Sequence, residues 1–211
     1  MGLGKTAQAV ALLHHLFHFE NDRGPFLVVA PLSTLPHWKR EFDSWTQLNT
    51  VLYHDGQGGK VTRDFIRRFE WYYYKNTSGV PEKVPGIWKM NVLVTSYEVM
   101  LSDIEELAEV PWSFLVIDEG QRIKNRAAKL GLALNALGIE RRLMLSGTPL
   151  QNNTTELWTL LNFVEPDKFS SLDAFLASYG SLESADAVST QRCEEGERVG
   201  VTTSAGRRWR S

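Results

Sequence analysis

Two short stretches of the chain carry residue types suited to nucleotide chemistry. The chain opens Met1-Gly2-Leu3-Gly4-Lys5-Thr6, followed by a helical pattern. The second half of a phosphate-binding loop has this form. Gly4 would let backbone N–H groups approach phosphate oxygens, Lys5 would reach the β and γ phosphates, and the Thr6 hydroxyl would ligate Mg2+. A helix beginning here would add its positive end to the same anion. Gly-Lys-Thr also suits an ordinary helix start, so these residues alone leave both readings open. Further along, the apolar run Phe114-Leu115-Val116-Ile117 ends in Asp118-Glu119. In an open α/β sheet ligands gather at the carboxyl ends of strands, where these acids fall. Asp118 would hold Mg2+ through water, and Glu119 would orient and deprotonate an attacking water. Alone, the pair would read as solvated acids at the start of a loop. With Gly-Lys-Thr upstream, two required parts of one mechanism occur in the right order, which favours ATP hydrolysis. The full pattern G-x-x-x-x-G-K-[ST] starts ahead of Met1, so the preceding strand and the front of the loop are expected to be missing and phosphate binding by this chain alone to be weak.

These residues need a scaffold, and the apolar pattern supplies one. Phe26 to Ala30, Val92 to Thr95, Phe114 to Ile117 and Leu143 to Leu145 are short continuous apolar runs, with Thr50 to His54 a weaker fifth. Such runs suit strands buried on both faces, as in a parallel sheet. Between them lie helical patterns. Lys5 to Phe19 is apolar nearly all round, Leu157, Leu160, Leu161 and Val164 follow the i, i+3, i+4, i+7 template, and Phe65, Phe69 and Tyr72 mark one face of a further helix. Strands alternating with helices predict an α/β doubly wound domain of mainly parallel sheet. Thr77 to Gly86, with two Pro and two Gly, reads as a surface excursion. After about residue 180 the periodicity disappears, so the domain is expected over 1–180 and a disordered tail over 181–211.

Composition narrows the class. Seven Trp, ten Phe and six Tyr are ample material for a core, and a formal charge of −2 announces no bulk field for nucleic acid. Any DNA contact must therefore come from a local patch. The one cysteine, Cys193, excludes a disulfide framework and a cysteine zinc site. No apolar run approaches the length of a membrane span.

The chain resembles the first RecA-like lobe of the SNF2 family of helicase-related ATPases. The resemblance rests on six segments in family order: MGLGKT, APLSTLPHWKREF, TSYE, VIDEGQRIKN, LSGTPLQNN and ELWTLLNFVEP. Within the family it looks most like the CHD chromodomain remodellers, in GPFLVVAPLST, SWTQLNTVLYH and the PDKF that follows NFVEP. What this implies is specific. Gly2, Gly4, Lys5, Thr6 and Gln151 would bind ATP, Thr6 and Asp118 would serve Mg2+, and Asp118, Glu119 and Lys5 would be catalytic. Pro31, Leu32, Ser33 and Thr34, with Thr95 and Ser96, match segments that lie along the DNA backbone in similar proteins. Hydroxyl and backbone N–H groups suit such contacts because they fix register without reading bases. Ser146, Gly147 and Thr148 match the motif that couples the nucleotide site to the DNA track. One departure bears on coupling: the family's Asp-Glu-Ala-His is here Asp118-Glu119-Gly120-Gln121. Gln121 can donate and accept hydrogen bonds but cannot become charged.

Weaker signals have plainer readings. His14 and His18 have metal-helix spacing but no evident third ligand, and suit a helix surface. Arg63 to Lys75 interleaves basic and aromatic residues, as nucleic-acid stacking surfaces do. Its period favours a helix with an aromatic core face and a basic rim. Arg122, Lys124, Asn125 and Arg126 form a local basic patch or a solvated helix start. Arg207, Arg208 and Arg210 form a short basic end of the kind usually solvated.

The expectation is a lobe that binds ATP-Mg2+ and the backbone of double-stranded DNA, acts on nucleosomes in the nucleus and contacts no membrane. In such motors a second ATPase lobe, expected here to be missing, supplies arginines to the transferring phosphoryl group. Alone, the chain would hydrolyse ATP weakly or not at all. Two rivals are a noncatalytic module that engages DNA or a partner without turnover, and an incomplete gene model of a full motor.

Overall fold

The computed structural model describes residues 4–56, 59–77, 79–119, 133, 137–146, 154–165 and 168–179. Two compact units divide after residue 149. The first holds a five-stranded sheet of β1 (Phe26–Ala30), β2 (Thr50–Tyr53), β5 (Val92–Ser96), β6 (Phe114–Ile117) and β7 (Arg142–Met144). Their order across the sheet is β2-β5-β1-β6-β7, and every pairing is parallel. All five expected strands are present, and a parallel sheet explains their continuous apolarity, since β1, β5 and most of β6 are buried on both faces.

Helices cover the sheet through narrow apolar faces. In α1 (Lys5–His18) the buried residues are Ala9, Val10 and Leu13, a narrower stripe than its all-round apolarity suggested. In α2 (Leu35–Trp45) they are Leu35, Trp38 and Phe42, at i, i+3 and i+7. Both stripes join Phe26, Val28, Ala30, Val92, Val94 and Val116 in one core. Each fully buried large side chain there contributes about 1.5–3 kcal/mol relative to exposure. Shorter helices α4 (Tyr97–Ser102) and α5 (Ile104–Ala108) lead from β5 towards β6. In the second unit, α6 (Thr154–Val164) carries the expected Leu157–Val164 periodicity and is followed by α7 (Leu172–Tyr179). They meet through Asn162, whose Nδ2 donates to Phe169 O at 2.8 Å, and through the edge contact of Phe169 with buried Phe175. Among the described residues no helix is long and apolar enough to cross a membrane.

The connection from β2 to β5 departs from the sequence reading. The helix is short, α3 (Lys60–Ile66), and passes into a π-helical turn, Arg67–Trp71. Its inward positions are Arg63 and Trp71, 6% and 0% exposed, whereas Phe65 and Phe69 are 62% and 46% exposed. The expected aromatic core face with a basic rim is thus reversed. The reason is Arg63, whose guanidinium is drawn inward by Asp103 at 2.7 Å. Helical periodicity then keeps positions 63, 67 and 71 on one side, and Phe65 and Phe69 fall roughly opposite. The excursion after it is a hairpin of β3 (Tyr72–Thr77) and β4 (Val80–Trp88). Pro81 and Pro85 are tolerated because each strand of a two-stranded ribbon has an unpaired edge. Lys75 pairs across the strands with Glu82 at 3.2 Å, and the Lys83 ammonium lies over the Tyr72 ring at 3.8 Å.

Candidate nucleotide site at the carboxyl edge of the sheet

Parallel pairing brings distant motifs to one edge. The register pairs Ala30 with Ser96 and Val29 with Ile117, so Asp118, one residue on, stands in the row of Ala30 and Ser96. The ladder continues past the strands: the Asp118 N–H donates to Val29 O at 2.9 Å and the Leu145 N–H to Ile117 O at 2.7 Å. Pro31–Thr34, Thr95–Ser96, Asp118–Glu119 and Ser146 therefore share this edge. The start of α1 belongs to it as well. That helix is about 21 Å long at 1.5 Å per residue and returns through a short loop to the opposite end of β1.

Helix α1 is suited to an anion at its start. Gly4 has φ +64°, in the left-handed region, and a Cβ there would meet no atom of the described residues within 4 Å. Among the described residues no side chain caps the helix, and no acid lies in its first turn. The first N–H groups lack intrahelical acceptors and carry the positive end of the helix. Lys5 and Thr6 are the first two residues of the helix, both half-buried. Gly2 lies outside the described residues.

The acid pair is held by groups absent from the sequence expectation. Asp118 is buried, and the Trp38 indole N–H donates to its Oδ2 at 3.0 Å. The Tyr97 hydroxyl donates to the Asp118 carbonyl oxygen at 2.5 Å. Glu119 follows with φ +55°, a conformation that costs a side-chain-bearing residue about 1–2 kcal/mol. Trp38 and Tyr97 both sit inside segments that support the family resemblance. Trp38 had a usable signal: a Trp on the apolar stripe of α2 will be buried, and its N–H then needs an acceptor.

The backbone-contact segments divide by exposure. Leu32 and Ser33, in the 3-10 turn Leu32–Thr34, are exposed, while Pro31 is buried and the Thr34 hydroxyl donates to Pro31 O at 2.8 Å. Thr95 and Ser96 are buried. The Thr95 hydroxyl donates to Tyr53 O at 2.7 Å, and Ser96 Oγ caps α4 by accepting from the Val99 N–H at 3.3 Å. Ser146 is half-buried. Gln121, Gly147, Thr148 and Gln151 lie outside the described residues, as do the basic residues at 122–126 and the chain from 180 onward. His14 and His18 pack against each other along α1 as tilted rings with centroids 4.4 Å apart. Among the described residues no group of three His, Cys, Asp or Glu is set to hold a metal ion.

A buried charge cluster anchors the far end of α4. Asp103 accepts from Arg63 Nε at 2.7 Å, Arg63 Nη2 at 3.0 Å and the Tyr53 hydroxyl at 2.5 Å. Asp55 also pairs with Arg63. Burial works to raise the Asp103 pKa, but the hydrogen bonds from Arg63 and Tyr53 outweigh it and hold the carboxyl below its ordinary range. Burial, and then Asp103 itself, push the Tyr53 phenol far above its usual value. The cluster fixes β2 and α3 to the helix that carries Tyr97.

Comparison with known proteins agrees with this architecture. The model of the SNF2-related domain matches residues 1–195. Chromodomain-helicase-DNA-binding protein 8 of Xenopus tropicalis is 45% identical over 188 residues, which is 89% of this chain and 8% of that protein. Chromodomain-helicase-DNA-binding protein 6 of Rattus norvegicus is 43% identical over the same share of this chain and 7% of its own length. This chain therefore spans less than a tenth of the length of these relatives. The solved SWI2/SNF2 ATPase core of Sulfolobus solfataricus, in complex with double-stranded DNA, superposes with a TM-score of 0.64 at 31% identity. That match covers 84% of this chain and 32% of the other. On the strength of a parallel sheet with its motifs gathered at one edge and a domain match over nearly the whole chain, this protein belongs to the SNF2-related family of helicase-like ATPases.

Proposed function

We propose that the chain acts as the first RecA-like lobe of an ATP-dependent, DNA-translocating chromatin remodeller, working in the nucleus on nucleosomes. The observation that carries this reading is a buried carboxylate, Asp118, on the same sheet edge as the start of a helix opening Gly4-Lys5-Thr6. The residues fit the group that the family implies. The αL turn and the N–H groups at the helix start suit phosphate, and an oxygen-only donor pair, the Thr6 hydroxyl and the Asp118 carboxylate, suits Mg2+. When bound, ATP-Mg2+ supplies the transferable phosphoryl group.

The roles are those that the family resemblance implies. With that group bound, Lys5 would offset phosphate charge, Asp118 would hold Mg2+ through water, and Glu119 would take a proton from the attacking water. Gly2 and Gln151 complete the nucleotide contacts, and Gln121, Ser146, Gly147 and Thr148 link that site to the DNA track. Exposed Leu32 and Ser33 lead the contact with the DNA backbone, with Pro31 and Thr34 shaping their turn. Thr95 and Ser96, whose hydroxyls are engaged within the chain, support it from beneath. A second lobe completes the site between the two.

The test joins this chain to a second ATPase lobe from a chromodomain-helicase-DNA-binding relative and measures ATP turnover with and without double-stranded DNA. The expected result is DNA-stimulated hydrolysis that falls at least about 100-fold on Lys5→Ala or Glu119→Gln. Unchanged turnover in the Glu119→Gln protein would refute Glu119 as the base.

A further inference from the structure

Asp118 is held at three points, by one strand and two helices. The Asp118 N–H is tied to β1 through Val29 O, its Oδ2 to α2 through Trp38, and its carbonyl to the first residue of α4 through Tyr97. Because β1 lies between β5 and β6, the Tyr97 side chain, starting beyond the end of β5, passes over the end of β1 to reach the backbone beyond β6. Ala30 and Pro31 beneath it are both buried. The peptide joining Asp118 to Glu119 thus has its carbonyl fixed, and the Asp118 N–H is fixed on the other side. An unfavourable φ of +55° at Glu119 persists only where the surroundings over-determine it, and these bonds do so. The indole N–H also selects among the carboxylate's oxygens. Among the described residues the carboxylate accepts a hydrogen bond at Oδ2 and none at Oδ1. An indole bond to a carboxylate is charge-assisted and directional.

Resting on the reading of Asp118 as the acid that serves Mg2+, we propose that Trp38 and Tyr97 are positioning residues: they set the Asp118 carboxylate and the Asp118–Glu119 peptide in the geometry that receives the metal–nucleotide complex. Neither side chain touches nucleotide. Trp38 follows the exposed Leu32–Thr34 turn by one helical turn, and Tyr97 follows Ser96 directly. The elements after β1 and β5 therefore both end on the same acid.

The test uses the 211-residue chain and a fluorescent ATP analogue, with affinity measured in EDTA and again in saturating Mg2+. The parent is expected to bind more tightly with the metal, and Asp118→Asn to lose that gain. Tyr97→Phe removes one hydroxyl, and Trp38→Phe removes the N–H while keeping an aromatic ring. Both are expected to keep metal-free affinity within about twofold and to lose about tenfold in the metal-dependent gain, the size of one charged hydrogen bond. A packing role alone would lower the two affinities together. Trp38→Phe leaves a cavity in the core, so Tyr97→Phe carries the proposal if the Trp38 variant does not fold. A full metal-dependent gain in Tyr97→Phe, or a parallel loss of both affinities, overturns the positioning role while the loss in Asp118→Asn keeps the nucleotide site standing. A gain that survives in Asp118→Asn, or is missing from the parent, overturns both.

Discussion

Replacing Asp103 by Asn should destabilise the first unit by about 3 kcal/mol. Asp103 is 2% exposed and receives two hydrogen bonds from Arg63, itself 6% exposed, and one from Tyr53, which is fully buried. Removing one partner of a buried ion pair costs about 3–5 kcal/mol, because the other charge stays buried without compensation. The lower end applies here, since Asp55, with a half-exposed side chain, still pairs with Arg63 and an amide oxygen can still accept from Tyr53. With a urea m-value of about 2 kcal/mol/M, the midpoint should fall by about 1.5 M. The pH dependence carries a second signature. The folded pKa of Asp103 lies below its unfolded value, so its contribution is complete above an unfolded pKa of about 3.9 and is lost as pH falls through the lower folded value. The Asn variant should therefore have a flatter acid limb, by up to about 1.4 kcal/mol per pH unit in that window. Urea titrations followed by circular dichroism from pH 2.5 to 7 measure both effects. A midpoint shift below about 0.3 M together with an unchanged acid limb would refute the idea that this cluster anchors the helix carrying Tyr97.

Two further outcomes test the fold and the site. Phe65→Ser and Phe69→Ser should change stability by less than about 0.5 kcal/mol, whereas Trp71→Ala should cost about 3–5 kcal/mol, and equal losses in urea titrations would restore the aromatic core face that the structure reverses. Gly4→Ala places a side chain at φ +64° in open space, so it should lower stability by about 1–2 kcal/mol through backbone strain alone and weaken nucleotide binding. A Gly4→Ala chain with unchanged thermal midpoint and nucleotide affinity would show that the turn is not held in the left-handed conformation.

The sheet was legible in the sequence because a strand buried on both faces must be apolar throughout. FLVVA, VLVTS and FLVI have few other ways to fold between polar loops. The acid pair was legible because it directly follows such a strand. What holds the pair was not, because a hydrogen bond from Trp38 to Asp118 spans 80 positions and depends on register rather than on local pattern. The reversal at Arg63 has the same origin: helical periodicity identifies a face but not which face points inward. Phe65 and Phe69 form as regular a stripe as Arg63, Arg67 and Trp71, and a partner elsewhere, Asp103, decides between them. The hairpin was hidden by its Pro and Gly, which argue against a central strand but not against a ribbon with two free edges.

The register of β1 also has a consequence for how the chain is made. Both neighbours of β1 lie far downstream, with Phe26 paired to Val92 on one side and to Phe114 on the other. During synthesis at about 5–20 residues per second, this wholly apolar strand waits roughly 3–13 s for its first partner and longer for its second. The β3–β4 hairpin needs only adjacent residues and closes in microseconds once it emerges. The nascent chain therefore carries a finished surface ribbon and an unpaired, sticky strand at the same time, and the helices α1 and α2 on either side of β1 in the sequence can cover it early.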